Sequence, residues 1–243
     1  MSWSKIAGSG GIASGGSTAR TSFGVAGAAV GSGHMVRGTV TWGDATVGHL
    51  SSVTDEKGNL YSIIDKIADT TEPQCIASFW LNSIANAPTT ITANFSTSVP
   101  FVGIEWSEFS GNDASTALTG HGGQVQRSPG TAADAVKTGT SFGASGDLRT
   151  GGMTTDDTGS VAVTSGTGYA TDQNNTPGGT GQVSLASEYM VAAGAADATF
   201  KVASNTPCIT VGMSFSPAAA ISGIKFRRTR SALGTRIDSR QVN

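Results

Sequence analysis

From Arg20 onward, apolar and polar residues alternate with a period of two, which places successive side chains on opposite faces of extended strands. In TTITANFS, Ile91, Ala93 and Phe95 share one face while Thr90, Thr92 and Asn94 take the other. In PCITVGMSF, Ile209, Val211, Met213 and Phe215 line one side. Half-buried antiparallel strands carry this signature. It predicts strands over 21–30, 35–42, 49–53, 61–67, 74–81, 89–95, 101–109, 135–140, 147–153, 161–163, 183–191, 198–202 and 208–215. The 61–67 segment also suits a helical turn, but its β-branched content favours a strand. Turn chemistry separates the segments. Asp55-Glu-Lys-Gly58-Asn59 supplies a glycine where a hairpin needs positive φ, and Pro88, Pro100 and Pro207 precede strands or open them. Many short strands spaced by turns predict an all-β, antiparallel two-sheet sandwich, jelly-roll-like.

The pattern fails at both ends. Residues 1–19, MSWSKIAGSGGIASGGSTA, are rich in Gly and Ser and read as a flexible or partner-bound arm, with Trp3 and Ile6 its only bulky anchors. The sandwich is assigned to 20–217 and a basic C-terminal tail to 218–243. Within that tail Lys225, Arg227, Arg228, Arg230, Arg236 and Arg240 stand against Asp238 alone, a net +5 in a chain of net charge -2. The body is therefore mildly acidic, and the tail suits an acidic surface or a polyanion. The tail reads as an extended arm or a short helix. Trp3, Arg227, Arg228 and Arg230 are the candidate partner-binding residues.

Composition narrows the setting. The chain has 243 residues, enough for one large β-domain; 34 are Gly, and only 13% are charged. This suits tight turns in a protein that survives outside a cell. Yet the first sixteen residues lack a basic stretch followed by an apolar run, the mark of a secretory signal. No apolar run approaches the roughly 20 residues of a membrane span. A surface-type composition without an export signal points to a virus particle, assembled in the host cytoplasm and freed by lysis.

Motifs for chemistry are weak. His34, His49 and His121 have no metal-ligand spacing, and there is no Cys/His cluster, so neither a metal nor another cofactor is expected. Cys75 and Cys208 lie in apolar segments and suit buried thiols, with a cross-strand disulfide the alternative. Glu105 and Glu108, beside Trp106, have the composition of a glycosidase pair, but an offset of three sends them to opposite faces. The expectation is an exposed Glu105 and a turn-ordering Glu108. Asp156-Asp157 and Asp55/Asn59 are oxygen-rich loops that suit turns better than calcium. No nucleophile elbow or phosphate-binding loop is present, so no enzyme activity is expected. Among the aromatics, Trp42, Tyr61, Trp80, Trp106 and Tyr189 alternate with polar residues and point to the core. Tyr169 sits in a polar loop, SGTGYATDQNN, and is the candidate glycan contact.

Four segments carry a resemblance: VTDEKGNLYSII (53–64), FVGIEWSEFSG (101–111), GDLRTGGM (146–153) and the closing CITVGMSF (208–215). Together they resemble a β-sandwich module of tailed-bacteriophage virion proteins and bacterial surface proteins, over about 39–217. The resemblance implies a structural component of a virion: a head decoration, or a fibre- or tail-associated protein. It brings no catalytic residues. The partners expected are other virion proteins, such as a major capsid or tail protein, and further copies of this chain in a homo-oligomer. The alternative reading is a carbohydrate-binding or host-attachment module that contacts a host surface glycan.

Overall fold

The computed structural model describes residues 2–113, 115–155, 161–175 and 184–218. Arg227, Arg228, Arg230 and the Asp156-Asp157 pair lie outside the described residues. Among those described, the chain is all-β and antiparallel, with a single short 3-10 turn at Val47–His49. The strands are β1 (Ser4–Lys5), β2 (Gly11–Ser14), β3 (Arg20–Ala26), β4 (His34–Trp42), β5 (Leu50–Asp55), β6 (Leu60–Asp69), β7 (Gln74–Ile84), β8 (Thr90–Val99) and β9 (Gly103–Ser110). They continue with β10 (Leu118–Gln126), β11 (Val136–Lys137), β12 (Leu148–Thr155), β13 (Val163–Ser165), β14 (Ala170–Asn175), β15 (Leu185–Val191), β16 (Thr199–Val202) and β17 (Cys208–Phe215).

Strands β1 to β9 form one curled sheet in the order β1-β9-β4-β7-β6-β5-β8-β3, with β2 also pairing β9. A second sheet runs β10-β17-β12-β15-β14, and a third, β11-β16-β13, covers its far side. Alternation explains the layering. The inner face of the curled sheet is apolar: Val36, Val40, Trp42, Phe79, Ile91, Phe95, Ile104 and Trp106 pack together inside the curl. Its outer face meets the second sheet, with Met35 and Phe109 against Leu148, Met213 and Phe215. The other face of the second sheet packs Met153, Ala186 and Cys208 against Val136, Val163, Phe200 and Val202 of the third-sheet side. Strands β12 and β17 are thus buried on both faces.

Every strand expected from Arg20 onward is represented, with shifted ends. Four additional strands, β1, β2, β10 and β14, have no apolar alternation to announce them.

The N-terminal segment corrects an expectation. It is not a loose arm: β1 pairs β9 through Ser4↔Ser110 and Lys5↔Phe109, and β2 pairs β9 from Gly11↔Trp106 to Ser14↔Gly103. Trp3 is buried in its own body among Met35, Phe109, Leu148, Met213 and Phe215, so its indole is occupied within the chain. The glycines here serve close approach rather than looseness. A Cβ on Gly10 would lie 2.3 Å from the Trp106 carbonyl oxygen, and one on Gly11 2.4 Å from that of Ala26. Gly10 also has φ +102, where L side chains are strained.

Gly10→Ala is therefore expected to destabilise the fold by about 2–3 kcal/mol, through overpacking and backbone strain together. Gly8 has φ +74 but open space around its Cβ position. Gly8→Ala carries the backbone term alone, about 1 kcal/mol. Urea midpoints of the two variants measure the difference; equal shifts would mean that the segment is not packed.

Candidate functional site

The polar side chains of the curled sheet gather where it faces the second sheet. On β4, Arg37, Thr39 and Thr41 point outward between Val36, Val40 and Trp42, which point inward. On β9, Glu105 and Ser107 do the same beside Ile104 and Trp106. From the second sheet come Ser187 on β15 and Asp172 on β14.

Arg37 is the centre. Its guanidinium is 1% exposed, donates from Nη1 to Glu105 Oε1 at 2.8 Å and pairs through Nη2 with Asp172. Glu105 also accepts from the Thr39 hydroxyl at 2.8 Å and the Ser187 hydroxyl at 3.0 Å. Asp172 accepts from the Ser107 hydroxyl at 2.6 Å and pairs with Lys5 Nζ at 2.5 Å. Two cations face two carboxylates, so the buried charges balance. Burial pushes both Arg37 and Lys5 below their usual values, against the pull of Glu105. The cluster ties together the N-terminal strand, the curled sheet and the second sheet.

Glu105 is thus not exposed: it lies wholly inside, because the second sheet covers the face that periodicity assigned to solvent. Glu108 faces the other way and is also buried, accepting from Gly31 N–H at 2.7 Å and meeting His34 Nδ1 at 2.5 Å. The two glutamates do not converge. His49 and His121 likewise pair with single carboxylates, Asp44 and Asp65. Among the described residues no His, Cys, Asp and Glu group has a metal-holding arrangement. Cys75 and Cys208 are separate, buried thiols, each pushed up to about 12 by desolvation. Asp55 organises its turn, accepting from Lys57 and Asn59 N–H at 3.0 Å and from the Tyr61 hydroxyl at 3.0 Å.

A second polar centre lies between the second and third sheets. Glu188 on β15 is buried and accepts N–H bonds from Gly166 and Thr199, both at 2.9 Å. Burial outweighs these bonds and pushes its carboxyl up to about 8. Nearby, Arg149 is buried and spends its guanidinium on the Phe142 and Gly194 carbonyls and the Tyr169 hydroxyl. Tyr169 is half-buried rather than exposed: its hydroxyl also donates to the Asp197 carbonyl at 2.8 Å, and one side of the ring borders a cavity of about 460 Å³. Asp134 stands at the same cavity, its carboxyl pKa lowered by bonds from the Thr167 hydroxyl and N–H and from the Thr199 hydroxyl. A neighbouring cavity of about 420 Å³ shares Ala195 with the first and is bordered by Thr119, His121, Phe142 and Asp147.

Sequence reasoning singled out Tyr169, as an exposed ring, but did not single out Arg37, Asp172 or Arg149. Arg37 and Arg149 did carry a signal, each being a lone charge inside an otherwise uncharged strand. Asp172 carried none, because ATDQNN has no apolar position to mark it as a strand. No protein-family model, curated protein or solved structure matches the chain.

Two predictions follow from the buried charges. Asp172→Ala strands two cations beside one carboxylate and is expected to cost about 3–5 kcal/mol, the usual penalty for breaking a buried pair; a thermal melt at neutral pH reads it. Glu188 gives a pH signature. Between its ordinary value of 4.5 and about 8, the folded protein retains a proton that the unfolded chain has released. Stability therefore falls as pH rises through that interval, with a limiting slope of about 1.4 kcal/mol per pH unit. Glu188→Gln loses one backbone bond yet should flatten the slope; denaturation midpoints from pH 5 to 8 in both proteins test this.

Proposed function

We propose that this protein is a non-catalytic structural component of a bacteriophage virion, a head decoration or a fibre- or tail-associated protein, and that it is held in the particle by its C-terminal segment. The observation that supports a structural role is the consumption of its polar side chains by one another. Arg37, Glu105, Asp172 and Lys5 form a charge-balanced unit between the sheets, and His34, His49 and His121 each pair with one acid. Among the described residues, no acid and base converge on open space in a way that general acid–base catalysis requires. The surface-type composition and the resemblance of residues 53–64, 101–111, 146–153 and 208–215 to phage β-sandwich modules supply the virion context.

Because Trp3 is buried within its own chain, attachment falls to Arg227, Arg228 and Arg230. An arginine fork matches carboxylates in paired hydrogen bonds, which suits an acidic patch on a capsid or tail protein. Repetition on a symmetric particle favours a homo-oligomer. No helix among the described residues is long and apolar enough to cross a membrane.

Deleting residues 222–243 should leave the melting temperature of the body unchanged and abolish incorporation into particles. Co-sedimentation of the truncated protein with purified virions measures the second effect. Undiminished incorporation would exclude the basic segment as the attachment.

A further inference from the structure

We propose that the two cavities beside Tyr169 and Ala195 form one binding site for a neutral oligosaccharide, with Asp134 and Asp197 as its hydroxyl acceptors. This stands apart from the virion reading and needs no particle.

The volumes, about 460 and 420 Å³, each fall within the range of small-molecule sites. Ala195 borders both, so a chain of two or more sugar rings can pass from one to the other across a residue without bulk. The first cavity has an apolar wall of the Tyr169 ring, Met190, Ala195 and Ala196. A pyranose offers a C–H face to such a wall and hydroxyl donors around its rim.

The acceptors are set in place. Asp134 Oδ1 takes the Thr167 N–H at 2.6 Å and the Thr199 hydroxyl at 2.8 Å. Asp197 Oδ1 takes the Ser141 hydroxyl at 2.8 Å, and Asp197 carbonyl oxygen takes the Tyr169 hydroxyl at 2.8 Å. The Thr167 hydroxyl bonds Asp134 as well, so both carboxylates are held in place; a carboxylate has about four acceptor positions, so each keeps capacity for a further donor. A rim of acceptors calls for a ligand that donates. A cationic ligand also donates, and Arg149 offsets only one of the two carboxylates; the apolar wall of Tyr169, Met190, Ala195 and Ala196 is what favours a sugar face over an extended polyamine. The second cavity is bordered by the polar side chains of Thr119, His121, Thr140 and Asp147.

Two substitutions test the site without disturbing the fold. Ala195 is exposed, so Ala195→Phe adds a plug where the cavities meet. Asp134 has φ +59, which asparagine tolerates, and Asp134→Asn keeps the Oδ1 acceptor while replacing Oδ2 with a donor. The probe is an array of neutral capsular and O-antigen oligosaccharides, with spermidine as the cationic control. The expected result is retention of at least one neutral oligosaccharide, reduced tenfold or more by each substitution while melting temperatures stay within about a degree of wild type. A blank array, retention unaffected by Ala195→Phe, or capture of spermidine in place of neutral sugar overturns the proposal.

Discussion

The guanidinium of Arg37 is the constraint around which the two main sheets are arranged. A charge buried this completely is tolerable only with partners in fixed places. Glu105 comes from the neighbouring strand of the same sheet, Asp172 from the edge of the opposite sheet. Sliding one sheet over the other by a single residue would separate Asp172 from Arg37 and Lys5 and leave its buried carboxylate without a cation. Apolar packing alone, as between Phe109, Met213 and Phe215, has no such sharp dependence on register. The polar cluster thus specifies the alignment, and the surrounding apolar groups supply the bulk of the cohesion.

Much of the architecture was legible because alternation is a strong signal. Ile91, Ala93 and Phe95 are buried together, with Thr92 and Asn94 less so, as the pattern predicts. What escaped has a common cause. Strand β10, LTGHGGQVQ, carries three glycines, and β14, ATDQNN, carries almost no apolar group. Their place is set by the partner they meet. A Cβ on Gly123 would lie 2.2 Å from the Thr210 carbonyl oxygen, so β10 approaches β17 as only glycine allows. Tertiary contact of this kind leaves no local trace.

The same logic explains the misplacement of Glu105 and the N-terminal segment. Periodicity divides a strand into two faces, but it cannot say that a second layer covers the polar one. Here the polar face became an interior interface, and Glu105, Thr39, Ser107 and Gln74 found partners instead of water. Gly and Ser in residues 1–19 suggested looseness for a parallel reason. Small residues suit both a free chain and a tightly laid strand, and composition does not distinguish them. Tyr169 lies between these outcomes: its loop is polar, but its hydroxyl is tied to Arg149 and Asp197.

The seating of Lys5 against Asp172 spans 167 positions of chain. On a ribosome the counter-ion is made long after the first strand, with those 167 positions of chain between them. Until β14 arrives Lys5 lacks its counter-ion, although β1 and β2 can already lie along β9 and Arg37 can already meet Glu105. The ion-pair cluster is thus completed only when β14 docks, whatever the order in which the earlier strands pair. Such long-range closure slows folding and lengthens the interval in which a nascent edge is exposed to neighbours.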